Sequence, residues 1–346
     1  MNMSATFVRF VRFVRPAQQG GMTLIELMVG LTLGLSVAVA LLLVFANASS
    51  TGQNLTRSST HIENGRYVAE LLRDDIRMAG YFGETPDAAT PVVYTDPSPC
   101  LTVPTGFNSA PLGLPAALQG FNPTDALACL DRRKAGTSAL ALRRLATATT
   151  AVASVVTSQQ QYYLQYSFCS TDAAATTLIF NTASAAFTLK NLACNAVNPV
   201  RAYVSRVYYV ADCNVCSGAA ADTTPTLKRL DLVGNQLVLT AVAEGVEALR
   251  FEYGFDTAGN GSPGTYLTDT AAPGATGATS MWRNVMTVKA HFIVRSLDKA
   301  SASPSTAAPG AFVLGTVATA DDPGDGYVRH VYSSTVRLIN PSGVRE

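Results

Sequence analysis

The sequence predicts an α+β fold: one long N-terminal α-helix, its first half able to span a membrane, packed on a C-terminal antiparallel β-sheet domain. Three observations predict it. Residues 27–46 carry no charge. Residues 50–79 keep apolar side chains at helical spacing. From residue 139 onward the pattern changes to short alternating segments separated by turn residues.

The apolar segment comes first. At about 1.5 Å per residue, twenty helical residues reach about 30 Å, the thickness of a bilayer core. Arg9, Arg12 and Arg15 precede it, and no Lys or Arg follows until Arg57. The positive-inside bias therefore puts the N-terminus in the cytoplasm and the bulk of the chain across the membrane. One carboxylate, Glu26, stands at the start of this segment, just after a basic leader ending in Gly20-Gly21. An ionised carboxylate there costs free energy unless something compensates it, so Glu26 calls for a partner. A secretory signal peptide cut near Ala46-Asn47-Ala48 competes with this reading, but such a peptide has an apolar stretch of only about 7–15 residues. A plain single-span anchor explains the length and charge asymmetry and leaves Glu26 and the glycine pair unexplained.

Beyond the span, Leu55, Ile62, Ala69, Leu72, Ile76 and Ala79 recur at helical intervals, so the same helix is expected to continue as an amphipathic stalk. Glu63, Arg66, Glu70 and Arg73 lie on its other face at spacings that suit a solvated surface. Gly80 reads as the C-cap. Gly52 and Gly65 are expected to loosen the stalk, each costing on the order of 1 kcal/mol against Ala.

Residues 84–125, rich in Pro, Gly, Thr and Asp, read as a long connection with short irregular pieces. Strands are expected over 139–145, 160–168, 177–180, 203–210, 227–232, 236–241, 246–255, 285–295 and 329–339. In one of them Val285, Thr287, Lys289, His291 and Ile293 face one way and Met286, Val288, Ala290, Phe292 and Val294 the other. Two stretches of small and polar residues, 257–280 and 299–326, read as long surface loops. The domain organisation is then a leader over 1–21, a membrane-spanning half-helix over 22–46, an amphipathic half over 47–80 and a β-rich domain over 81–346.

Chemistry is sparse. The formal charge is +1 with no basic block after the leader, which gives no support to nucleic-acid binding. No nucleophile elbow, P-loop or dinucleotide fingerprint occurs, so neither an enzyme nor a cofactor is expected. His61, His291 and His330 are scattered without metal-ligand spacing and read as packed or surface residues. Asp256-Thr-Ala-Gly-Asn260-Gly261 is the stretch nearest a calcium loop, yet Ala258 and Leu267 stand where oxygen ligands belong. A turn built on Asn-Gly fits better. Asp321, Asp322 and Asp325 rate no higher.

Six cysteines, 100, 129, 169, 194, 213 and 216, all follow the apolar segment, in what the topology makes an oxidising compartment. They allow fifteen pairings. The simplest joins neighbours: Cys100 with Cys129, Cys169 with Cys194, Cys213 with Cys216. Cys213-Asn-Val-Cys216 reads as a small structural disulfide loop, while the redox and metal readings of that spacing lack a second pair or a neighbouring His.

At Gly21-Met22-Thr23-Leu24-Ile25-Glu26-Leu27 the chain resembles the processing site of type IV pilins and pseudopilins, with Met22 where Phe is usual. The resemblance implies cleavage between Gly21 and Met22 by prepilin peptidase, N-methylation of Met22, and an assembly role for Glu26. The stretches from Gly65 to Gly83, Glu244 to Gly254 and Val328 to Leu338 are similar to signatures of the PilW family of minor pilins, with His330 where many members have Arg. That similarity implies a pilin-like fold, anchoring in the inner membrane through 22–46, a periplasmic globular domain, and partners among other minor pilins and the major pilin. Pilus priming, tip location, adhesion, twitching motility and DNA uptake are the roles so implied. A minor pseudopilin of a type II secretion system and a membrane-anchored envelope adhesin are the alternatives.

Overall fold

The computed structural model describes residues 21–83, 92–109, 112–172, 177–272, 281–299, 311–321, 323–343 and 345. The leader before Gly21 and Asp322 thus lie outside the described residues. The chain divides into two compact units, Met1–Gln53 and Asn54–Glu346.

In the first unit, helix α1 (Leu24–Met78) begins, and Leu24–Ser49 is long and apolar enough to cross a membrane, with a mean hydropathy of 2.6. Two hydroxyls of the segment are satisfied within the helix: Thr32 Oγ1 donates to the Val29 carbonyl at 3.0 Å and Ser36 Oγ to the Leu33 carbonyl at 2.8 Å. Hydroxyls satisfied within the helix add little cost in an apolar medium.

In the second unit, the remainder of α1 buries Val68, Leu72, Ile76 and Ala79, each at most 1% exposed. Leu72, Ile76 and Ala79 lie on the expected stripe, and Val68 joins them in place of Ala69, which is half-buried at its margin. Glu63, Arg66, Glu70 and Arg73 are exposed. Helix α1 ends where Gly80 adopts φ +75°, a conformation that a Cβ disfavours. The freed carbonyls of Met78 and Ala79 accept from Asn340 Nδ2 at 3.2 and 3.1 Å, so a side chain from the far end of the chain closes the helix.

The described strands are β1 (Val93–Thr95), β2 (Asn108–Ser109), β3 (Leu112–Pro115), β4 (Leu118–Phe121), β5 (Ala139–Leu145), β6 (Tyr163–Tyr166), β7 (Leu178–Asn181), β8 (Arg201–Ala211), β9 (Thr226–Val233), β10 (Gln236–Glu244), β11 (Val246–Phe255), β12 (Thr265–Thr268), β13 (Val285–Arg295), β14 (Ala311–Leu314), β15 (Ala318–Asp321) and β16 (Arg329–Arg337), with a short helix α2 (Ile339–Gly343) last. One sheet runs β10-β9-β8-β5-β4, with β6 bridging β8 and β7. A second runs β12-β11-β13-β16, and β14-β15 form a hairpin. The pairing is antiparallel apart from β1 with β3 in a small third sheet. The main core joins the α1 face to Leu118, Leu140, Tyr208, Leu249, Phe251, Trp282 and Phe292.

Two sequence expectations are corrected. Residues 84–125 are not merely a connection: β1 to β4 lie there, and every residue of 112–121 is buried. Arg143 on β5, 1% exposed, ties the chain between and beside them, donating to the carbonyls of Ala116 and Pro97 and to Gln119 Oε1 at 3.3, 2.7 and 2.9 Å. A buried guanidinium takes the acceptors that the irregular chain leaves over. The stretches 257–280 and 299–326 also hold structure, β12 in the first and the β14-β15 hairpin in the second. Residues 273–280 and 300–310 lie outside the described residues.

Candidate functional site

The N-terminal segment offers an exposed, non-helical peptide leading into a capped helix. Gly21, Met22 and Thr23 are exposed and non-helical, which leaves the Gly21-Met22 bond accessible. Thr23 caps α1, its Oγ1 accepting the Glu26 N–H at 3.3 Å, while the Leu27 N–H donates to the Thr23 carbonyl at 3.1 Å. Thr23 and Glu26 have the Thr-x-x-Glu spacing of a capping box. The Glu26 carboxylate stands exposed in the first turn of the helix, where the aligned peptide dipoles favour negative charge.

In the second unit, sheet and helix are tied by charges that strand and helix patterning did not single out. Asp75, on the buried face of α1, accepts Arg206 Nη1 at 2.7 and 2.8 Å and the Tyr208 hydroxyl. Arg206 Nε donates to Asp231 Oδ1 at 3.0 Å, and Arg229 Nε to Asp231 Oδ2 at 2.7 Å. Burial, and then the Asp75 carboxylate, push the Tyr208 hydroxyl up from its ordinary value. A visible signal was there: Asp75 falls between Leu72 and Ile76 on the apolar stripe, a place where a carboxylate needs a buried partner.

The second sheet is pinned in the same way. Arg329, at the start of β16, donates from Nε to Glu247 at 2.6 Å and from Nη1 and Nη2 to Asp325 at 2.7 and 2.8 Å. The Arg329 guanidinium holds the Asp325 carboxyl down at about 2. Glu252 on β11 anchors the β14-β15 hairpin by accepting the Thr316 N–H and hydroxyl at 2.7 and 2.8 Å, and it accepts Lys289 Nζ at 3.0 Å. Burial pushes Glu252 up, but the Thr316 donors and the Lys289 ammonium outweigh it and hold the carboxyl at about 2.

The remaining sequence candidates separate. His291 is 5% exposed, with Nδ1 at 2.8 Å from Ser333 Oγ and Nε2 at 3.5 Å from Glu252, and burial lowers its pKa. His330 is exposed on β16. The side chain of His61 lies outside the described residues. Asp256 is the reverse of a cation ligand. Its carboxylate accepts the N–H groups of Ala258, Gly259, Asn260 and Gly261 and the guanidinium of Arg345. Burial pushes this carboxyl up, but those donors hold it down at about 2. Asn260 Oδ1 accepts the Ser262 N–H at 3.0 Å. The segment is a turn folded around an anion. Cys100 is joined to Cys129, Cys169 to Cys194 and Cys213 to Cys216.

The prokaryotic N-terminal methylation motif matches residues 16–42, which include Gly21, Met22 and Glu26. The family described as type IV pilus-assembly protein W matches residues 207–340, from β8 through the Arg329 clamp to the Asn340 cap. The stalk end over 65–83 lies outside both matches. No curated protein matches the chain. Among solved structures, the type IV-like pilin TTHA1219 from Thermus thermophilus aligns at 11% identity over 81% of this chain and 96% of its own, with a TM-score of 0.35, a likeness too slight to bear weight. An apolar N-terminal helix behind a methylation motif, followed by a domain of antiparallel sheets packed on the helix end, defines a type IV pilin-like protein. Within that class the chain is similar, over residues 207–340, to the PilW family of pilus-assembly proteins.

Proposed function

We propose that this protein is cut between Gly21 and Met22 by prepilin peptidase, methylated on the new Met22 amine, and built into a type IV pilus as a non-catalytic subunit. The observation that carries this reading is the exposed Gly21-Met22 bond next to a Thr23-capped helix whose first turn bears Glu26. Cleavage creates a positive amine at the positive end of the helix dipole, and a carboxylate offsets it far better in an apolar surround than in water. In a filament that amine belongs to a neighbouring subunit, so Glu26 is an assembly residue.

Before assembly, residues 22–46 hold the chain in the inner membrane, with the N-terminus cytoplasmic and residues 81–346 periplasmic. Residues 47–80 form the amphipathic half of the helix. Joining other minor pilins in a priming or tip complex, beside the major pilin, is the finer role we assign, with adhesion, twitching motility or DNA uptake as its readouts. The match to the pilus-assembly family over 207–340 favours the pilus over a type II secretion apparatus.

The test is the mass and N-terminal sequence of the protein isolated from its native host. A start at methylated Met22 is expected, and Glu26→Ala is expected to remove the protein from sheared pili without lowering its cellular level. A start near Ser49, or an uncut Met1, would overturn the reading.

A further inference from the structure

One pair of cysteines sits in surroundings unlike the other two. Cys100–Cys129 and Cys169–Cys194 close segments of 29 and 25 residues, whereas Cys213–Cys216 spans only 3, so the last contributes least through chain entropy. The loop that holds it is braced without it. Asp222 accepts the N–H groups of Asn214, Val215 and Thr224 at 2.8, 2.8 and 2.9 Å. The Asp222 N–H donates to the Val215 carbonyl at 2.9 Å, and Asn214 Nδ2 donates to Glu244 at 2.5 Å. Opening the sulfur bridge therefore leaves the loop's frame in place.

Beside the bridge lies a buried cation. Lys228, 3% exposed on β9, donates from Nζ to Cys216 Sγ at 2.9 Å, and among the described residues that neutral sulfur is the one hydrogen-bond acceptor it has. Asp222 feels the ammonium's charge, but its oxygens are taken up by backbone N–H groups. A buried ammonium without a directly bonded counter-charge is costly. Reduction of the bridge supplies that counter-charge, because a Cys216 thiolate would sit against Lys228. The two sulfurs also differ in access: Cys213 is fully buried and Cys216 half-buried.

We propose that Cys213–Cys216 is a thiol–disulfide exchange site, in which Cys216 is the exchanging sulfur, Cys213 the resolving sulfur and Lys228 the cation that holds the Cys216 thiolate. Its co-reactant is a dithiol. One thiolate of the dithiol attacks Cys216 Sγ, the Cys213–Cys216 bond breaks, and Cys213 leaves with the electron pair and takes a proton from solvent. The second thiol of the dithiol, deprotonated, then attacks the mixed disulfide. It forms the dithiol's own internal disulfide and releases Cys216 as a thiolate beside Lys228. Two electrons pass from the dithiol to the cysteine pair. This site stands apart from membrane anchoring and filament assembly.

The test uses the full chain in detergent, titrated with dithiothreitol at neutral pH, trapped by alkylation and mapped by mass spectrometry. Cys213 and Cys216 are expected to open while the other two pairs remain closed, with Cys216 alkylated at least about tenfold faster than Cys213. Its alkylation should have a pH midpoint below the free-thiol value of about 8.5. Lys228→Met is expected to raise that midpoint by a unit or more and Lys228→Arg to restore it. Reduction of all three pairs together only on unfolding, or a Cys216 pH profile at the free-thiol value, would overturn the proposal. These wild-type readouts decide it even if Lys228→Met fails to fold.

Discussion

Asp75 is one carboxylate on the buried face of α1, and it shows how much a single residue decides here. Its side chain is 10% exposed and its partner Arg206 24%, so removing it leaves a guanidinium half out of water with only Asp231 to face. Asp75→Ala is expected to lower unfolding stability by about 2–4 kcal/mol, read as a fall in the urea midpoint at unchanged slope. Glu252 and Asp325 make a second residue-scale prediction. Both carboxyls are held at about 2 in the folded chain, below their ordinary 4.5 and 3.8. A depressed carboxyl contributes stability that is complete above its ordinary value and is lost as the pH falls through the folded one. Urea midpoints should therefore be level above about pH 5 and decline towards pH 2. Asp325→Asn should flatten part of that decline, and an unchanged slope in this variant would remove the Arg329 clamp from the explanation.

At the scale of elements, α1 and β16 meet through a missing side chain. A Cβ on Gly65 would come within 2.2 Å of Tyr332 Cζ, and that ring cannot swing away freely because it stacks on Phe292 with centroids 5.3 Å apart. Gly65 is thus a place of close approach between helix and sheet, where helix propensity alone had made it a point of weakness. Gly65→Ala is expected to destabilise the domain by about 1–3 kcal/mol despite alanine's better helix propensity. A stabilised variant would show that the ring accommodates a methyl group. The α1 end obeys the same logic, since Gly80 turns the chain and Asn340 satisfies the last carbonyls. Helix α1 is finished only when the C-terminus arrives.

For the whole molecule, the two units divide the work. Among the described residues, every fully buried residue of α1 lies beyond Asn54, so the second unit holds a complete core. A chain trimmed to 54–346 is expected to be soluble without detergent, to keep the three cysteine pairs and to unfold cooperatively, as checked by peptide mapping and near-UV circular dichroism. Aggregation or scrambled pairs would mean that the core needs the first half of the helix. Glu26, in the first unit, is expected to matter for incorporation into pili and not for this fold.

Much of this was legible from periodicity and composition. The uncharged run after Glu26 declared a membrane-length helix because hydropathy is a local, additive property. Strands such as β5, β11 and β13 declared themselves because burial on one or both faces writes itself into nearby residues. Gly80 could be placed because a helix end depends on neighbours three or four positions away. The strands around Leu112–Pro115 could not, since β3 is held by pairing with β1 and β2 and the chain flanking it by Arg143, partners that meet it only after folding. Neither could the union of Asp75 with Arg206, of Gly65 with Tyr332, or of Lys228 with Cys216. The sequence determined by itself most of the elements and the membrane-length segment that heads them. Only the tertiary structure decided which charges meet, because a charge pair or a close contact is a relation between distant residues and has no period along the chain.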